Sequence, residues 1–137
     1  MIGESEKNND LFYTCSLIEY IARCTKNTKK YIVEKLGRDK ISKIYNLASV
    51  YHCENIENGN YDHISNCKYD VPSYFDIGKV YKRLIIMVSD KDENKYVDSL
   101  IEVMSSWIME KFDNYNSSMY YENPSYIYAC YEEGDVL

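Results

Sequence analysis

The chain has very little of what a membrane, secreted or nucleotide-using protein displays. Its longest uninterrupted apolar run, Leu84 to Val88, is five residues, far short of the roughly 20 that cross a bilayer. The N-terminal stretch Met1 to Asp10 lacks an apolar core that could act as a signal peptide. Five glycines at 3, 37, 59, 78 and 134 are too scattered for a phosphate-cradling loop or a dinucleotide fingerprint. No G-x-S-x-G, H-E-x-x-H or calcium-loop pattern occurs, which removes the common hydrolase, metalloprotease and EF-hand signatures. Five cysteines, Cys15, Cys24, Cys53, Cys67 and Cys130, are odd in number and irregular in spacing. They suit a reducing cytoplasm better than a disulfide framework.

Basic residues are outnumbered as well. Sixteen Lys and Arg against 22 Asp and Glu give a formal charge of −6, which repels a phosphate backbone and argues against direct nucleic-acid binding. Seven cations nevertheless gather between residues 26 and 43: Lys26, Lys29, Lys30, Lys35, Arg38, Lys40 and Lys43. What the chain has in excess is tyrosine, with 16 against three Phe and one Trp.

A length of 137 residues supports one domain with a core that needs no staple. Residues 1–9 read as a polar disordered tail and 10–137 as a single helical domain. The spacing predicts a first helix from an N-cap at Asp10 to about Cys24, with Leu11, Cys15, Ile18 and Ala22 on its apolar face. A second, capped by Asn27, runs from Thr28 to Leu36 and stops at Gly37. A third, Arg38 to His52, carries Ile41, Ile44, Tyr45, Ala48 and His52 on its stripe. Residues 53–72 have no periodicity, and Asn58-Gly59 within them reads as a tight turn. Ser73 followed by Asp76 reads as a capping box opening a helix to about Ser89, with Ile77, Val80, Tyr81, Leu84 and Val88 inward. Gly78 within that helix marks a close approach by a neighbour. The strongest pattern, Val97, Leu100, Ile101, Met104, Ile108 and Phe112, predicts one long helix from Asp92 to Asn114. Asn123-Pro124 opens a last short helix that Gly134 ends. The fold expectation is an all-α, irregular bundle of five to six helices.

Three groups of residues bear on chemistry. His52, Cys53, His63 and Cys67 have the right atoms for zinc or for a thiol nucleophile with an imidazole base. Their spacing lacks the paired ligands of a zinc site, however, and no metal or cofactor is expected. Asp90, Asp92, Glu93, Asp98 and Glu102 gather around one helix start, where Asp98 and Glu102 share a face that suits Mg²⁺ or, more often, simply water. Between residues 115 and 131, Tyr115, Tyr120, Tyr121, Tyr126, Tyr128 and Tyr131 are too dense for one helix to bury. With Glu122, Glu132 and Glu133 beside them, they read as a protein-binding surface or a homodimer seam.

The run LFYTCSLIEY at residues 11–20, a short basic helix and IYNLASVYH at 44–52 resemble small helical domains of unknown function encoded beside ADP-ribosyltransferase-like toxin proteins in Firmicutes. The resemblance covers residues 10–56 and implies an accessory or antitoxin role, with no functional residue carried over. The expectation is therefore a non-enzymatic, acidic, cytoplasmic protein that docks on another protein, such as a toxin or a nucleic-acid-processing enzyme, as an antitoxin, immunity or anti-defence inhibitor does. Two alternatives stay open: a DNA-binding regulator using the helix pair 28–52, and a small enzyme using the His52/Cys53/His63/Cys67 region.

Overall fold

Polar residues open the first helix, and tertiary contacts hold them there. The computed structural model of the chain describes residues 6–48, 73–114 and 119–136. In it α1 runs Glu6–Thr25, beginning four residues before the expected cap. Asp10 is not a cap but a buried member of the helix, whose carbonyl accepts from Thr14 Oγ1 at 2.8 Å. The early turn is anchored by its side chains. Asn8 accepts a 2.6 Å hydrogen bond from the Tyr96 hydroxyl, and the Lys7 ammonium lies 5.2 Å from the centre of the Tyr45 ring. Glu6 places its negative charge at the positive end of the helix dipole.

The second helix, α2, spans Lys29–Asn46 but is two segments joined at Gly37, whose φ of 78° and ψ of 162° are not helical. That region is open almost solely to glycine, so the stop expected there is present as a sharp bend. Its cap is Thr28, one residue beyond the expected Asn27; the Thr28 hydroxyl accepts from the Tyr31 amide at 3.1 Å. Ile41, Tyr45 and Ala48 are buried and Ile44 is half-buried, but α2 ends at Asn46 with Leu47 as its C-cap instead of running on to His52, which lies outside the described residues.

Helix α3, Tyr74–Val88, opens as expected, with Ser73 Oγ accepting from the Asp76 amide at 3.0 Å. Ile77, Tyr81, Leu84 and Ile85 form its buried face. At Gly78 the helix meets α1 so closely that an added Cβ would stand 3.2 Å from Ser16 Cα. Phe12–Phe75 and Tyr20–Tyr74 ring pairs, with centroids 5.9 and 5.4 Å apart, flank this crossing.

The long helix expected over 92–114 is broken. A 3₁₀ turn at Glu93–Lys95 leads into α4, Tyr96–Met104, and a separate α5 covers Met109–Asp113. Ser106 sits at the break. The Ser106 hydroxyl donates to the Val103 carbonyl at 2.6 Å, while the Ser106 amide donates to that same oxygen. From there the amides of Met109, Glu110 and Lys111 reach back three residues instead of four. A hydroxyl competing for a backbone carbonyl is a known cause of such tightening. Leu100, Val103, Met104, Ile108 and Phe112 stay buried on both sides of it, with Ile101 and Trp107 half-buried.

After a 3₁₀ turn at Met119–Tyr121, α6 occupies Pro124–Glu133, with Asn123 as its cap and Gly134 at its end. The molecule is all-α: six α-helices and no strand among the described residues. Helix α1 lies between α2 and α3, α2 also covers α4 and α5, and α6 packs on α3. No helix among the described residues is long and apolar enough to cross a membrane.

Candidate functional site

The tyrosine-rich end is built on two apolar anchors and one capped helix start. Asn123 Oδ1 accepts from the Ser125 amide at 2.8 Å and Pro124 needs no donor partner at the first helical position, so α6 starts sharply. Ile127 and Cys130 are buried and fix α6 onto the core, while buried Met119 fixes the 3₁₀ turn before it. With those anchors in place the tyrosines take different environments. Tyr126, Tyr128 and Tyr131 are half-buried and packed against the core. Tyr121 is 75 % exposed. The backbone of Tyr120 belongs to the 3₁₀ turn, and Tyr115 lies outside the described residues.

The half-buried phenols are tied to carboxylates. Tyr131 donates to Glu102 Oε2 at 2.5 Å, and Tyr128 donates to Glu132 at 3.3 Å. Burial, followed by the adjacent carboxylates, raises the Tyr131 hydroxyl far above its ordinary range and moves Tyr128 in the same direction. Tyr126 is raised chiefly by its hydrogen bond with Cys130. All three therefore remain neutral donors at physiological pH.

Beside Tyr121 lies a groove of about 350 Å³ between α3 and the start of α6. Val80, Leu84, Pro124 and Ile127 give it an apolar floor. Exposed Arg83 stands on the α3 wall and exposed Glu122 on the opposite one. These two walls are some forty residues apart in the chain, and only the docking of α6 on α3 brings them together.

The other expected constellations are dispersed or not described. His52, Cys53, His63 and Cys67 lie outside the described residues. Asp98 and Glu102 share a helix face but serve different partners: Asp98 accepts from Arg38 Nε at 2.7 Å, and Glu102 accepts from Tyr131. The Arg38 hydrogen bond holds the Asp98 carboxyl below its usual range. Among the described residues no three His, Cys, Asp or Glu side chains are grouped to hold a metal ion. The basic cluster of 26–43 is also smaller than its sequence, because Arg38 is paired and Lys29 is buried.

Lys29 belongs to a cluster that periodicity did not reveal. Its ammonium lies 3.0 Å from Glu19 Oε1 and 2.5 Å from Asp113 Oδ1. Arg23 Nε donates to the other Glu19 oxygen at 2.8 Å, and the Tyr81 hydroxyl donates to Glu19 Oε1 at 2.9 Å. Glu19 is fully buried and Lys29 is 1 % exposed, while the Asp113 side chain retains 22 % exposure. Two cations and two carboxylates thus cancel formally, joining α1, the start of α2, α3 and the end of α5. The edge of Phe112 closes on Tyr81 with ring centroids 5.3 Å apart. Buried charge is tolerated only when paired in this way. The local signal was the Glu19–Arg23 spacing of four on an otherwise apolar stripe. With Glu19 and Lys29 buried at its centre, the cluster ties these helices together.

No protein-family profile, curated protein or solved structure matches the chain.

Proposed function

We propose that this chain is a non-enzymatic protein-binding domain that docks on another protein through the groove between α3 and α6 and the tyrosine beside it. One observation carries the reading: Tyr121, a large amphipathic ring, is 75 % exposed at the edge of an open apolar groove. Tyrosine is enriched at interfaces because it buries a stiff ring while its hydroxyl keeps a polar partner. Tyr126, Tyr128 and Tyr131 belong to the same α6 and pack against the core, and the hydroxyls of Tyr128 and Tyr131 donate to Glu132 and Glu102. A net charge of −6 favours a basic partner, and inhibition of a toxin or of a nucleic-acid-processing enzyme suits such a surface. The helix pair around Gly37 gives less support to DNA reading, since Lys29 and Arg38 are already committed to carboxylates.

The test compares capture from host lysate by the parent chain and by Tyr121→Ala. A specific protein retained by the parent and lost by the variant, at unchanged helical circular dichroism, supports the surface. Equal retention by both places the binding elsewhere and refutes it.

A further inference from the structure

The exposed side of α2 carries charge opposite in sign to the rest of the chain, and we propose that it is a docking surface for an anionic phospholipid bilayer. Residues 26–48 hold seven cations against two carboxylates, whereas the remaining residues hold nine against twenty. Burial and pairing divide the seven. Lys29 and Arg38 are committed to Glu19, Asp113 and Asp98. Lys26, Lys30, Lys35, Lys40 and Lys43 are exposed and in no ion pair among the described residues. Against these five lysines stand only the exposed carboxylates of Glu34 and Asp39, which leaves an excess of three positive charges. The helix packs on α1 and α4 with Ile32, Val33, Ile41 and Tyr45 buried, so both of its segments turn the lysines outward. The groove described above belongs to α3 and α6 and shares no residue with this face.

Two further observations select lipid over nucleic acid. The free cations are all lysine, a compact point charge that suits a fluid layer of headgroups; the face's one arginine, whose planar fork suits phosphates at fixed positions, is held by Asp98. Tyr31 and Leu47, 45 % and 36 % exposed, stand among the lysines. Leu47 follows Lys40 and Lys43 at helical spacing, and the Lys35 ammonium lies 5.6 Å from the centre of the Tyr31 ring. An aromatic and an aliphatic side chain bordered by lysines is the arrangement that enters a headgroup layer. A base that stacks on Tyr31 meets a ring already covered on one side by Lys35. Each lysine brought to an anionic bilayer strengthens partitioning about fivefold. The acidic remainder of the chain is repelled by the same surface, which orients α2 toward it.

Co-sedimentation of the purified full chain with vesicles tests this, using phosphatidylcholine alone or equal parts of phosphatidylcholine and phosphatidylglycerol. The expected result is binding to the second kind only, lost as salt is raised because the attraction is screened. Lys40→Gln combined with Lys43→Gln weakens that binding roughly twentyfold at unchanged helical circular dichroism. Lys79→Gln combined with Lys91→Gln removes the same charge from exposed positions on and just beyond α3, and leaves binding within about twofold of the parent. Absence of binding to the phosphatidylglycerol vesicles at low salt overturns the inference. Equal binding to both kinds of vesicle overturns it too, as does an equal loss in the two double variants. Retention of duplex DNA by a chain that ignores the vesicles assigns the face to nucleic acid and likewise refutes the lipid surface.

Discussion

Replacing Gly78 by alanine should destabilise the protein, although intrinsic helix propensity alone predicts the reverse. In the interior of an exposed helix, alanine is favoured over glycine by about 1 kcal/mol. Here the added Cβ lands 2.2 Å from Ser16 Oγ and 3.2 Å from both Ser16 Cβ and Ser16 Cα. The first clash can be relieved by turning the hydroxyl, which has no hydrogen-bond partner to lose. No side-chain rotation relieves the crowding against the α-carbon, because that atom belongs to the main chain of α1. Relief there means separating α1 from α3, the most extensive helix pairing among the described residues. Overpacking of this kind costs about 1–3 kcal/mol, and a clash with main chain belongs in the upper half of that range. Subtracting the propensity gain leaves a net loss of about 1–2 kcal/mol. For a chain of this length that lowers the melting temperature by about 3–8 °C. Urea and thermal unfolding followed by circular dichroism measure it. Ser16→Ala alone should be close to neutral, since it deletes a buried hydroxyl without a partner. Combined with Gly78→Ala it should recover little of the loss, because Ser16→Ala leaves the α- and β-carbons in place, so the two changes should be nearly additive. A Gly78→Ala chain as stable as the parent would refute the close-packed crossing. A large favourable coupling in the double variant would show that the Ser16 hydroxyl, and not the main chain of α1, is the obstacle.

Other perturbations test different parts of the fold. Lys29→Met removes the cation between Glu19 and Asp113 and leaves Glu19 buried beside one fewer partner; a loss of about 3–5 kcal/mol in urea unfolding is expected. Adding Glu19→Gln to it should return part of that loss, because the fully buried carboxylate is then gone, although Arg23 loses that partner. Leu100→Ala, at a fully packed position on α4, should cost about 2–5 kcal/mol, and a loss below about half a kilocalorie per mole would contradict the packing. Asp98→Asn tests the exposed pair with Arg38. The Asp98 pKa is lowered from 3.8 in the folded state, so its contribution is complete above that value and disappears as pH falls through the depressed range. The parent should exceed the variant slightly in stability at neutral pH and lose that margin in strong acid, while a margin independent of pH would show that the pair contributes nothing through charge.

The elements legible in the sequence are those whose cause is local. Ser73, Asn123 and Pro124 act on amides within two or three residues, and Gly37 and Gly134 on their own dihedral angles, so each marks a boundary wherever the rest of the chain goes. Gly78 also announced its close approach, though not that Ser16 was the neighbour. The caps that failed did so for tertiary reasons: α1 extends past Asp10 to Glu6 because Tyr96 and Tyr45, far along the chain, hold Asn8 and Lys7. Apolar periodicity could not show the break at Ser105–Ile108. Tightening from four-residue to three-residue hydrogen bonds keeps Met104, Ile108 and Phe112 on the same buried side, so the pattern is satisfied whether the helix is whole or interrupted.

The tyrosine density near the end of the chain was plain in the sequence, but the division of Tyr121, Tyr126, Tyr128 and Tyr131 into one exposed ring and three half-buried ones was not. Adjacent side chains are separated by the anchoring of Met119, Ile127 and Cys130, which depends on where α6 settles. The groove and the charge cluster lie still further from sequence patterns. One needs residues 80–84 beside 121–127, and the other joins 19, 23, 29, 81 and 113. Hydrophobic patterning determines most of the faces that turn inward, since apolar side chains gain from burial whatever element they meet. Which charged group meets which, and what surface remains open beside Tyr121, is decided by the packing of helices distant in the chain, since pairing requires partners at defined positions.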